Sequence, residues 1–173
     1  TNHSIIGLES AGVPILPGAG AYVIDEAHDL VDRVTGQLTV SISKSEINSL
    51  ASLLRREMIL ATGLESTADG LADVLGELPE GRLIERPAPL TDSLLALLGE
   101  LQQASEDVSS LPGKEESDVA AKNVVRSRVQ SLAEVVSQLL SDDVAEGKLV
   151  IWIQRDFDDV PSLHVAPLDV SSS

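Results

Sequence analysis

The residues best suited to chemistry stand together in "VIDEAH", where the apolar run Ala21-Tyr22-Val23-Ile24 gives way to Asp25, Glu26, Ala27 and His28. An Asp at a strand end can hold the magnesium ion that bridges the terminal phosphates of a nucleotide. A Glu beside it can orient or deprotonate an attacking water. A His two positions later, in the following turn, can hydrogen-bond across to a neighbouring domain and report the nucleotide state. Adjacent acids at a strand end often mean only a solvated turn. Here, however, they sit at the C-terminal end of an apolar strand, which is where ligands bind in α/β sheets.

Three zones position these residues. In the first, 1–33, the run Ala21–Ile24 is apolar without alternation, as expected of a buried parallel strand, and "VPILPGAG" before it is loop material. The second, 34–147, reads as helices from about Ser43 onward. Ser43 and Glu46 form a capping box. Ile47, Leu50, Leu54, Met58 and Ala61 follow at helical spacing, with Gly63 expected to close the segment. A second helix carries Leu64, Ala68, Leu71, Leu75 and Leu78 and ends at Pro79. After the break "PEGRLIERPAP", Leu90, Leu94, Leu97, Leu101 and Ala104 mark the clearest amphipathic helix. Val125, Val129, Leu132, Val136 and Leu139 mark a fourth, so four helices with one apolar face each predict a small bundle. In the third zone, 148–173, "KLVIWI" and "LHVA" are β-type runs separated by "QRDFDDVPS", a hairpin or a loop-linked pair.

Composition narrows the classes. With 173 residues, 43% of them hydrophobic, the chain can bury one ordinary core. Aromatics are 2%, so that core is aliphatic, which favours a helical or mixed fold. Twelve Lys and Arg against 28 Asp and Glu give a net charge of −16. A chain this acidic is not, as a whole, a nucleic-acid-binding surface, and with only Tyr22, Trp152 and Phe157 as aromatics no base-stacking platform is expected, so any such contact must be local. There is no Cys, which removes disulfides and thiolate metal sites from this chain. No apolar run approaches a membrane span, so no membrane partner and a cytoplasmic location are expected. "TNHSIIGL" opens in mid-pattern and "LHVAPLDVSSS" stops after a strand-like run, so the chain is expected to be a piece of a longer protein.

"VIDEAH" resembles the Walker B box, or motif II, of superfamily 2 helicases. In the DEAH-box RNA helicases an S-A-T box follows within a few tens of residues, and none occurs here. A long helical block intervenes instead, followed by strands ending in "LHVAPLDV". That arrangement resembles the DinG/XPD branch of DNA helicases, in which a helical arch is inserted after motif II. "TNHSIIGL" resembles the segment before motif II there, and "APLDV" the stretch leading toward motif III, with the DinG side the closer match.

The resemblance implies an α/β fragment of a RecA-like motor domain carrying an inserted, mostly α-helical arch, predominantly helical overall. Zone 1–33 would be the motor edge, 34–147 the arch and 148–173 the returning motor strands. It implies ATP and Mg2+ as cofactors, with Asp25 as magnesium carboxylate, Glu26 as water-activating acid and His28 as coupling residue. Asp25 and Glu26 would thus face the nucleotide. Asn2 and His3 match the family segment with no chemical role assigned. An iron–sulfur cluster of the parent protein would lie outside this segment.

The implied activity is ATP-driven translocation on single-stranded DNA and unwinding of forked DNA, in repair or replication. No G-x-x-x-x-G-K-[ST] loop is present, so the chain alone is not expected to hydrolyse ATP. Lys122 and Arg126, one turn apart, are candidate contacts to a DNA strand beneath the arch, although a solvated face is the commoner explanation for such residues. Lys114, Arg55 and Arg56 are further cations of the helical block. His164 reads as a packed or surface histidine. Asp156, Asp158 and Asp159 read as a solvated turn, lacking calcium-loop spacing. A different class remains open: a non-catalytic, acidic, helical protein-interaction module.

Overall fold

The computed structural model describes residues 39–111 and 116–168, the side chains of 116–119 excepted. The elements run β1 (Val40–Ser43), α1 (Lys44–Arg56), α2 (Thr62–Glu77), β2 (Gly81–Leu83), α3 (Ala88–Ser110), α4 (Glu116–Leu140), β3 (Leu149–Arg155) and β4 (Pro161–Pro167). The chain is mixed α/β and predominantly helical. Its four strands form one sheet in the order β1-β4-β3-β2, with every pairing antiparallel. The strand expected over 21–24 lies outside the described residues.

The helical stripes become the core. Leu90, Leu94, Leu97, Leu101, Ala104 and Val108 of α3 are buried, and α3 packs between α2 and α4. Leu64, Ala68, Leu71 and Leu75 of α2 face α3, α1 and strand β4. Each fully buried leucine contributes about 1.5–3 kcal/mol relative to an exposed one. The α1 start follows its sequence signal: the Ser43 hydroxyl accepts from Glu46 N at 3.3 Å and donates to Glu46 Oε2 at 3.1 Å.

The α1 end does not follow it. Gly63 lies inside α2, and α1 ends at Arg56, with Met58 just past its cap taking φ 63° where no glycine is present. Met58 N donates to Arg55 O and Ile59 N to Leu54 O, both at 3.0 Å, and Ile59 and Leu54 are buried together. This is a Schellman closure whose apolar contact compensates a left-handed methionine.

Two strands carried no expectation. β1 follows the alternation of "VSIS", and β2 holds three residues of the stretch read as a break. The expected hairpin is present, with Ile151 opposite Val165 and Ile153 opposite Leu163. However, the segment expected to return to a motor-domain sheet pairs, over its described residues, with β1 and β2 of the helical zone.

Sheet polarity follows from alternation. Ile42, Ile151, Ile153, Leu163 and Val165 join the helices in one core cluster. The alternate residues point away from it. Ala166, buried but outside that cluster, belongs to this second face.

Candidate functional site

Asp25, Glu26 and His28 lie outside the described residues, as do Asn2, His3 and Lys114. Lys122 and Arg126 are described, and both turn toward the C-terminal end of α3. The Lys122 ammonium donates to Ser109 O at 3.2 Å and to Leu111 O at 2.6 Å. Arg126 reaches the Ser109 hydroxyl at 3.5 Å, at the limit of a hydrogen bond.

This use of cations recurs. α2, α3 and α4 each lack a basic residue in the last turn, where the final carbonyls and the helix dipole favour positive charge. Each receives one from another element. Lys122 serves α3. Arg86, ahead of α3, donates to Leu139 O of α4 and to the Thr91 hydroxyl. Arg155 of β3 donates to Gly76 O at 3.0 Å and Leu78 O at 3.3 Å at the end of α2. Lys44, Arg55 and Lys148 pair with Asp69, Glu65, and Asp143 with Glu146. Among the described cations, Arg56, Arg82 and Arg128 make no hydrogen bond or ion pair.

Arg82 belongs to a row that crosses all four strands on the outward sheet face. Register places Ser41 opposite His164, His164 opposite Trp152, and Trp152 opposite Arg82. The Trp152 and His164 rings are stacked, with centroids 5.2 Å apart and planes 17° from parallel. Ser162 Oγ lies 2.9 Å from His164 Nε2 and donates to Gln154 O. Partial burial lowers the His164 pKa from its ordinary value, outweighing the Glu46 charge, which acts in the opposite direction. This row was missed in the sequence because it exists only through strand register. The one available signal was the alternation of "VIWIQ" with "SLHVA".

At the β1 edge a cavity of about 670 Å3 opens between α1 and α4. Leu50, Leu53, Leu132 and Val135 contribute its apolar walls, and Ser41, Glu46 and the unpaired Arg128 its polar ones. Among the described residues no group of three or more His, Asp or Glu side chains could hold a metal ion. The Asp156 carboxylate accepts from Asp158 N and Val160 N, each at 2.9 Å, and so organises the β3–β4 turn. Phe157 at its tip is fully exposed. No described helix is long and apolar enough to cross a membrane.

No protein-family model, curated protein or solved structure matches the chain.

Proposed function

We propose that this chain is part of an ATP-dependent DNA helicase of the DinG type. Residues 39–168 would form an accessory domain inserted after the motif II strand. "VIDEAH" carries the reading. A second feature supports the inserted arrangement. The first and last strands of the described unit, β1 and β4, are antiparallel neighbours with Val40 opposite Val165. The chain therefore comes in at Thr39 beside Ala166, about one strand spacing away, and goes out two residues later at Leu168. A host domain can accept such a unit at a single loop, because termini that lie close together suit insertion. On this reading the insertion extends through β4, and the returning motor segment begins beyond it.

In the proposed mechanism Asp25 would hold Mg2+, Glu26 would activate water, and His28 would couple the nucleotide state to a neighbouring domain; the metal would supply charge neutralisation at the phosphates. Single-stranded or forked DNA is the substrate. In the full-length protein, Glu26→Gln should lower ATP turnover by about 100-fold or more and leave nucleotide binding intact. Undiminished turnover would refute the assignment. It would favour the second reading, an acidic interaction module, which the fully exposed Phe157 between Asp156 and Asp158 supports.

A further inference from the structure

The geometry points to the outward sheet face as a stacking platform for the bases of single-stranded nucleic acid, with Trp152 and Arg82 at its centre. His164 covers one face of the indole. Since β3 lies between β4 and β2, the other face is turned toward Arg82, the register partner of Trp152 on the edge strand. Arg82 is exposed and makes no hydrogen bond or ion pair, so it can move without breaking a contact.

A planar ring stacked on both groups needs about 3.5–4 Å on each side, or roughly 7–8 Å between them. Directly paired side chains start about 4.5–5.5 Å apart at Cβ, so Arg82 has only to swing outward by a few ångströms. The guanidinium can then lie over the base or bind its phosphate. Along the strands, the neighbouring outward row holds Val150 and Ala166, with Ile84 just past β2 and 87% exposed. The row on the other side holds Gln154 and Ser162, which can meet base edges.

The shape favours a strand over a free nucleotide. Small-ligand sites enclose most of the ligand, whereas this row offers half-buried Trp152 and His164 beside exposed Arg82, with no cavity around them among the described residues, and can only add up successive weak stacks. A duplex is disfavoured twice, since its bases already stack on one another and the face offers one free cation to its phosphates. A phosphate contact at Arg82 contributes about −0.7 to the log–log salt slope, which its removal should take away.

Trp152 is the only tryptophan, so its fluorescence reports on this face alone. Titration of the chain with a short oligothymidylate at low salt, without ATP, should quench it saturably. Thymidine monophosphate and a duplex of equal length should not quench it at the same nucleotide concentration. In anisotropy with the labelled oligonucleotide, Trp152→Ala should weaken binding about tenfold or more and Trp152→Phe should retain most of it. Arg82→Gln, at an exposed edge position, should weaken binding and flatten the salt slope while leaving the circular dichroism unchanged. Absence of quenching, equal binding by the Arg82→Gln variant, or equal binding of the mononucleotide would overturn the proposal. None of these measurements involves ATP hydrolysis, so they stand apart from the Glu26→Gln test.

Discussion

Replacing Lys122 with methionine should destabilise the chain by about 1–2 kcal/mol, because the ammonium closes a helix that has no cation of its own. It donates to Ser109 O and Leu111 O at 3.2 and 2.6 Å, at the end of a 23-residue helix. Charge-assisted hydrogen bonds are worth about 1.5–3 kcal/mol each when enclosed, and the dipole interaction about 0.3–1 kcal/mol. Lys122 is only half-buried, and water can replace it at both carbonyls, so the net loss falls well below the sum. Methionine keeps most of the aliphatic stem, which separates charge from packing. For a chain of this size the loss corresponds to a Tm lower by about 2–8 °C, readable by far-UV circular dichroism and by urea titration. Arg126→Met should change stability by less than about 0.5 kcal/mol, since its 3.5 Å contact is marginal. A Lys122→Met chain as stable as the parent would refute the cap and release Lys122 as a candidate DNA contact.

Two further perturbations test local features. Met58→Gly should stabilise the chain by about 0.5–1 kcal/mol, because a left-handed non-glycine residue costs about 1–2 kcal/mol and glycine entropy returns part of that. The Met58 side chain is 90% exposed, so little packing is lost, and a lower Tm would contradict the Schellman closure. For His164, partial burial makes the folded form bind its proton less tightly than the unfolded form. Its contribution is therefore complete above the unfolded pKa of about 6.5 and is lost as pH falls through the lowered folded value. Urea midpoints followed by Trp152 fluorescence should fall on acidification below about pH 6.5, and His164→Gln should reduce that fall. An identical pH dependence in the variant would count against the shift.

The legible parts of the fold were those coded by local spacing. The α2 and α3 stripes, the Ser43–Glu46 cap and the β3–β4 hairpin each occupy one short window, and each appears as expected. The α1 end was misread because a glycine rule placed the stop at Gly63, while burial of Ile59 against Leu54 holds Met58 in the glycine-like conformation. β1 and β2 are too short to signal alone and take their order from partners far along the chain. Arg155 and Gly76 are 79 residues apart, so no local pattern could reveal that cap. The candidate site divides the same way. "DEAH" is readable as a string, whereas the Ser41–His164–Trp152–Arg82 row depends on three strand registers and two edge strands that went unread.

Charge economy ties these features together. In a chain of net charge −16, an unpaired guanidinium is where an anion meets least repulsion, so the placement of the free cations matters more than their number. Helix ends take Lys122, Arg86 and Arg155, and exposed acids take Lys44, Arg55 and Lys148. Of the three unpaired cations among the described residues, Arg56 ends α1, Arg128 lines the cavity at the β1 edge and Arg82 stands on β2 at the opposite edge of the sheet. Ser41 lines that cavity and also begins the row that ends at Arg82. A flexible polyanion held at both Arg128 and Arg82 would have to cross the Trp152–His164 stack between them. Rigid duplex DNA gains little from two isolated charges, while a single strand can bend to meet both and stack on the rings along the way. If that path is used, Arg128→Gln should weaken oligothymidylate binding without altering quenching at saturation, because it removes an anchor and leaves the stack intact. Reduced quenching at saturation in that variant would mean that the cavity and the sheet face do not act as separate parts of one path.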